Sequence, residues 1–127
     1  MRFFAYFKES VTESRLENYR IRKIVIMYFL EDHSLMISEP KETNSGVPQG
    51  MFLKRRQVLR EDGSGLALLP SDLKIGTEVK ILGRQIRVCD CDEYTREFYQ
   101  FQGKPQPKPE AIPQDSFTQS TIKKPKV

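Results

Sequence analysis

Among its 127 residues the chain has one histidine, His33, and two cysteines, Cys89 and Cys91. This scarcity narrows the available chemistry. A nucleophilic triad needs a base, a nucleophile and an orienting group brought together, and nothing marks a partner for His33, which stands between Asp32 and Ser34. It reads as an exposed turn residue. The cysteines, one residue apart, are expected on the same face of one strand. There a mutual disulfide would be badly strained and a zinc site would lack its other ligands. Reduced, semi-buried thiols are therefore favoured over metal ligands or redox sensors, which suits the cytosol.

Other absences exclude further classes. No apolar run approaches the roughly 20 residues that span a bilayer, and Phe3-Phe4-Ala5-Tyr6-Phe7 is too short for a signal h-region. The expectation is an aqueous intracellular compartment with no membrane span. Gly46, Gly50, Gly63, Gly65, Gly76 and Gly83 form no phosphate loop or dinucleotide fingerprint, so no nucleotide or other cofactor is expected. Asp90-Cys91-Asp92-Glu93 superficially resembles the start of a calcium loop. Its sixth position, however, is Thr95 where such a loop needs glycine, and helix capping is the favoured reading.

The formal charge of +4 is unevenly distributed. Residues 1–103 carry 16 Lys and Arg against 15 Asp and Glu, a net of +1, and residues 104–127 carry 5 against 2, a net of +3. A nearly neutral body argues against nucleic acid as the main partner. The body, 1–103, reads as one domain. Residues 104–127 read as a basic linker or docking arm, because Pro105, Pro107, Pro109 and Pro113 among polar residues favour an extended, polyproline-like spacer.

Within the body, Arg2 to Lys8 reads as an aromatic strand. Tyr19 to Arg22 alternates, with Tyr19 and Ile21 on one face and both arginines on the other; Ile24 to Leu30 is then apolar on both faces, as for a strand covered on two sides. Glu31 to Ser34 turns the chain into a third strand over Leu35 to Ile37, which Glu39-Pro40 ends. Met51 to Arg56 is a fourth strand with a basic end, and Pro70 to Leu73 a single helical turn. Thr77 to Leu82 and Ile86 to Val88 alternate across a tight Gly83-Arg84 turn. Asp90, or alternatively Asp92, caps a helix that stops at Gly103. On that helix Tyr94, Phe98 and Phe101 form a stripe expected to be buried, each ring contributing about 1.5–3 kcal/mol. The fold class is mainly β with one C-terminal α-helix. A small bent antiparallel barrel or sandwich capped by that helix, pleckstrin-homology-like, fits best; an open sheet with one covering helix is the fallback.

Two basic sets are the candidate partner-binding residues: Arg20, Arg22 and Lys23 on one strand, and Lys54, Arg55 and Arg56 on another. They either meet as a patch for an acidic surface or form a solvated edge paired with local acids such as Glu17, Glu39 and Glu42.

Several segments together resemble the DM-ten domain of the ciliary myoclonin and protofilament-ribbon family. They are Arg2 to Glu9, Glu17 to Lys23, Glu39-Pro40, Asn44 to Arg55 and Cys89 to Phe98. The resemblance covers most of residues 1–103, and Ile112 to Phe117 is similar to the stretch following the domain in the myoclonin group. It implies a non-enzymatic, pleckstrin-homology-like module lining doublet microtubules of cilia and flagella, commonly inside the A-tubule. The implied partners are tubulin and other axonemal proteins, and the implied parent is a longer chain with several domains. On this reading Asn44 and Gln49, in the loop before the fourth strand, join the two basic sets as candidate contacts. The leading alternative is a module that binds phosphoinositides or other anionic lipids through the same clusters. Family members that bind calcium do so through EF-hands, which have no counterpart here.

Overall fold

The computed structural model describes residues 1–10, 19–40 and 50–113. Six strands are followed by one helix: β1 (Arg2–Ser10), β2 (Tyr19–Phe29), β3 (Ser34–Glu39), β4 (Gly50–Arg56), β5 (Glu78–Ile81), β6 (Arg84–Cys91) and α1 (Glu93–Phe101). The strands make one antiparallel sheet in the order β4-β3-β2-β1-β6-β5, curled into a half-barrel. The mainly-β class with a single helix near the C-terminus is the architecture that the sequence pattern implies.

The alternation of β1 sets the core. Phe3, Ala5 and Phe7 face the concave side and pair in register with Ile26, Ile24 and Arg22 of β2. Leu35 and Ile37 of β3, Val79 and Ile81 of β5, and Ile86 and Val88 of β6 complete the concave face. Burying such side chains is worth roughly 1.5–3 kcal/mol apiece. The expected two-sided cover of β2 is not found. Ile24, Ile26 and Tyr28 are buried, whereas Val25, Met27 and Phe29 are half-buried on the convex side. One face of an antiparallel sheet often stays wet in this way.

The β5–β6 hairpin turns at Leu82 and Gly83, both at positive φ (52° and 76°), and Arg84 already belongs to β6. Two left-handed residues give the strand twist that a two-residue hairpin needs. Glycine takes this conformation freely, but leucine does so at a cost.

β6 carries a bulge. Phe4 pairs with Asp90 and Ala5 with Val88, so Cys89 is the extra residue. The expectation that Cys89 and Cys91 share a face fails for that reason. Cys91 joins the core cluster with Val88, whereas Cys89, also buried, is excluded from it and lies beside Arg87 and Glu110. A bulge breaks the two-residue period that the expectation assumed.

Asp92, not Asp90, caps α1, its side chain accepting from Thr95 N–H at 3.0 Å. The expected buried stripe is also corrected. Tyr94 is 69% and Phe101 91% exposed, and the buried helix residues are Thr95 and Tyr99, with Phe98 partly covered. The Thr95 hydroxyl accepts the Arg2 N–H at 2.8 Å. Tyr99 packs edge-on against Phe3 and donates to the Pro70 carbonyl at 2.5 Å. These contacts fix which side of α1 faces the sheet.

Beyond the helix, residues 104–113 have no regular secondary structure yet lie against the body. Gln106 is buried, its side chain accepting from Ile75 N–H (2.9 Å) and donating to Leu73 O (2.8 Å). Arg96 donates to the carbonyls of Gln106 and Pro107, and Glu110 N–H donates to Cys89 O at 2.8 Å. At about 1 kcal/mol net for each hydrogen bond, these contacts hold an extended strap that has no regular secondary structure to stabilise it.

Candidate partner-binding surface

The two basic sets do not form one patch. Arg22 sits at the end of the half-barrel where β3 finishes and β4 begins, whereas Lys54, Arg55 and Arg56 lie toward the other end of β4, with Arg56 opposite Leu35. The sets are separated by about six residues of strand, roughly 20 Å.

Arg22 shares the concave face with Phe7, its guanidinium 5.8 Å from the ring centroid. Both of its ends are occupied. Nη1 donates to Glu9 Oε2 at 2.5 Å, Nη2 to Glu39 Oε1 at 2.6 Å, and Nε to the other Glu39 oxygen. Donation to the Glu39 carboxylate is the main reason that the guanidinium holds its proton more tightly than an exposed arginine. Glu39 is 6% exposed, so the pair is a buried one in which each charge depends on the other. Arg22 therefore braces β1, β2 and β3. Glu39, one of the local acids named from the sequence, is its principal partner.

A feature that the sequence did not suggest closes the same mouth. The Arg84 guanidinium lies 4.8 Å from the Phe7 centroid and 5.2 Å from that of Phe52, and the two rings are 5.5 Å apart. One cation thus links β6 to β4 across the opening of the half-barrel, each contact being worth about 0.5–1 kcal/mol. No periodic signal connects residues 7, 52 and 84. Only the curl of the sheet brings them together.

Lys23 is exposed opposite Tyr6. Arg20 takes its place in β2 opposite Glu9. Asn44 and Gln49 lie outside the described residues.

On β4 all three basic residues are exposed. Arg55 stacks its guanidinium 3.7 Å from the Phe29 centroid, donates to Ser34 Oγ at 2.9 Å and reaches Asp32 at 3.4 Å. It roofs the convex face beside the β2–β3 turn. In that turn His33 adopts φ 56° and places Nδ1 3.1 Å from the Tyr28 hydroxyl. Lys54 and Arg56 make no side-chain bond to a described residue, and they flank Arg55 on the edge strand of the sheet. The result is a short basic strip on an edge strand, suited to docking on an acidic surface.

Asp90 accepts from Cys91 N–H at 2.7 Å and from Arg96 at 3.2 Å. Burial pushes the Cys89 thiol up to about 11 and raises that of Cys91, so both favour the neutral form. Among the described residues no group of three His, Cys, Asp or Glu side chains is placed to hold a metal ion, and no helix is long and apolar enough to cross a membrane.

Residues 1–95 match the family model described as the DM10 domain. Mouse EF-hand domain-containing protein 1 is 40% identical over 119 residues, covering 94% of this chain and 18% of the relative. Zebrafish EF-hand domain-containing family member C2 is 35% identical over 117 residues, covering 91% and 16%. The bovine member of that name is 32% identical over 123 residues, covering 96% and 17%. The chain therefore spans less than a fifth of the length of these relatives, whose names denote EF-hand proteins and no enzyme. Coverage of 94% cannot be reached without passing residue 113, so the similarity includes the strap as well as the sheet. With a family-model match over about three quarters of its length, the chain belongs to the DM10 domain family.

Proposed function

We propose that the chain is a non-enzymatic structural module of ciliary and flagellar doublet microtubules, one of several domains in a longer parent protein. On this reading it packs on tubulin and neighbouring axonemal proteins at the luminal side of the A-tubule and stiffens the axoneme. The observation that carries it is the basic strip on the edge strand β4, where Lys54 and Arg56 are exposed and make no ion pair with a described residue. Family membership supports the same reading, because the segments that resemble the ciliary DM-ten domain include parts of β1, β2 and β4, the end of β3 and the passage from β6 into α1. A single copy binds weakly, and repetition along a parent chain supplies avidity.

The test is co-pelleting of the multi-domain parent with isolated doublets, with and without K54E, R55E and R56E together. Loss of decoration by the triple variant is expected; unchanged decoration removes β4 from the interface. The phosphoinositide reading requires several cations converging on one pocket. Arg22 is committed to Glu9 and Glu39 at the far end of β4, which favours a protein surface. Flotation with anionic vesicles at physiological salt is expected to leave the chain unbound, and retention would favour the lipid.

A further inference from the structure

The outward face of α1 carries an arrangement that neither the fold nor the basic strip uses. Tyr94 and Phe101, seven residues apart and so on one side of the helix, are 69% and 91% exposed. Glu97 lies between them on the same side, and Glu93 stands one turn before Glu97; both are exposed. These two carboxylates, at i and i+4, repel one another, and neither makes an ion pair with a described residue. The cation that α1 itself carries, Arg96, is turned to the body, bonded to Asp90 and to two strap carbonyls. Among the described residues, the face therefore combines two exposed π surfaces with negative charge that no cation pairs.

We propose that this face is a docking surface for a basic polypeptide segment, an Arg- or Lys-bearing stretch of a neighbouring protein. Its cations would bridge Glu93 and Glu97 and stack on the rings of Tyr94 and Phe101. Charge complementarity identifies the occupant. A cation relieves the Glu93–Glu97 repulsion and is attracted by the negative face of an aromatic ring, whereas an acidic or purely apolar partner gains at most one of these effects. The surface is distinct from β4 and opposite to it in sign, so the inference goes beyond the function proposed above and does not depend on it.

The experiment is an NMR titration of the isotope-labelled 127-residue chain with a nine-residue peptide of alternating arginine and alanine. A glutamate–alanine peptide serves as control. Saturable shifts centred on residues 93–101 are expected, weakening as salt is raised and absent with the acidic peptide. The exposed-site variant Y94A/F101A should lower affinity about tenfold. E93Q/E97Q should do likewise, and circular dichroism should find the fold of both intact. The proposal is overturned by shifts centred elsewhere, or by an affinity indifferent to loss of the rings, which would reduce the effect to bulk charge. Concentration-dependent shifts of α1 in the absence of peptide would assign the face to a second copy of the chain and overturn it equally.

Discussion

Arg87, on β6, grips Glu110 of the Pro-rich segment with two hydrogen-bonded ion contacts, Nε to Oε1 at 2.5 Å and Nη2 to Oε2 at 3.0 Å. The contact joins residues 23 apart in sequence. It turns the start of what composition reads as a spacer into a strap fixed across the outer side of the sheet.

The strap should respond to acid. The hydrogen bond from Arg87 holds the Glu110 carboxyl below the ordinary glutamate value of 4.5. A depressed folded value means that the ion pair contributes fully above about pH 4.5, and that the contribution is lost as pH falls through the lowered value. Amide relaxation at Gln106, Glu110 and Ala111 should match that of β6 at pH 7 and loosen in acid before the sheet unfolds. Glu110→Lys should loosen the strap at every pH. Strap amides as free at pH 7 as those of an unstructured peptide would contradict this.

Cys89 offers a chemical readout of the same contact. Its thiol is buried and pushed up to about 11, chiefly by desolvation and next by the Glu110 charge. At pH 8 both cysteines should react with a thiol reagent at least tenfold more slowly than in the urea-unfolded chain. Truncation after Gly103 should speed Cys89 while leaving Cys91, part of the core cluster, slow. Equal acceleration of both would mean that truncation opens the sheet itself.

The strands were legible in the sequence from the aromatic run of Arg2 to Lys8, the apolar run of Ile24 to Leu30 and the alternation of Thr77 to Leu82 and Ile86 to Val88, whereas the buried face of β2 was not, because Ile24 to Leu30 is apolar on both faces. Where alternation breaks, the reading broke as well. The bulge at Cys89 leaves no compositional mark, and α1 carries aromatic residues on two sides, so period alone cannot decide which side is buried. That decision rests on tertiary contacts, the Thr95 hydroxyl on Arg2 N–H and Tyr99 on Phe3. The exposed basic end of β4 was readable from three adjacent residues. The occupancy of Arg22 was only half readable, since Glu39 is a local acid whereas the placement of Phe7 and Arg84 around the same mouth needs the curl of the sheet.

The Arg22 brace should be unequal in its two arms. Removing Glu39, 6% exposed, leaves a guanidinium that is itself largely covered without its main partner, and Glu39→Ala should cost about 3 kcal/mol in urea unfolding. Glu9 is 39% exposed, and Glu9→Ala should cost under about 1 kcal/mol. Equal losses would show that Glu39 is not the principal anchor.

The β5–β6 turn leaves room for improvement. Leu82 is held at φ 52° and is 49% exposed, so little packing is at stake. Asparagine tolerates that conformation, and Leu82→Asn should raise stability by roughly 1 kcal/mol, visible as a shift in the thermal midpoint. A fall would mean that the Leu82 side chain packs more than its exposure implies.

A side-chain-resolution map of native doublet microtubules carrying the parent protein tests the proposed role most directly. The half-barrel should be found on the tubulin wall, with Lys54 and Arg56 of β4 within ion-pair distance of acidic side chains. A doublet wall without the domain, or a bound domain whose β4 faces solvent, would contradict it.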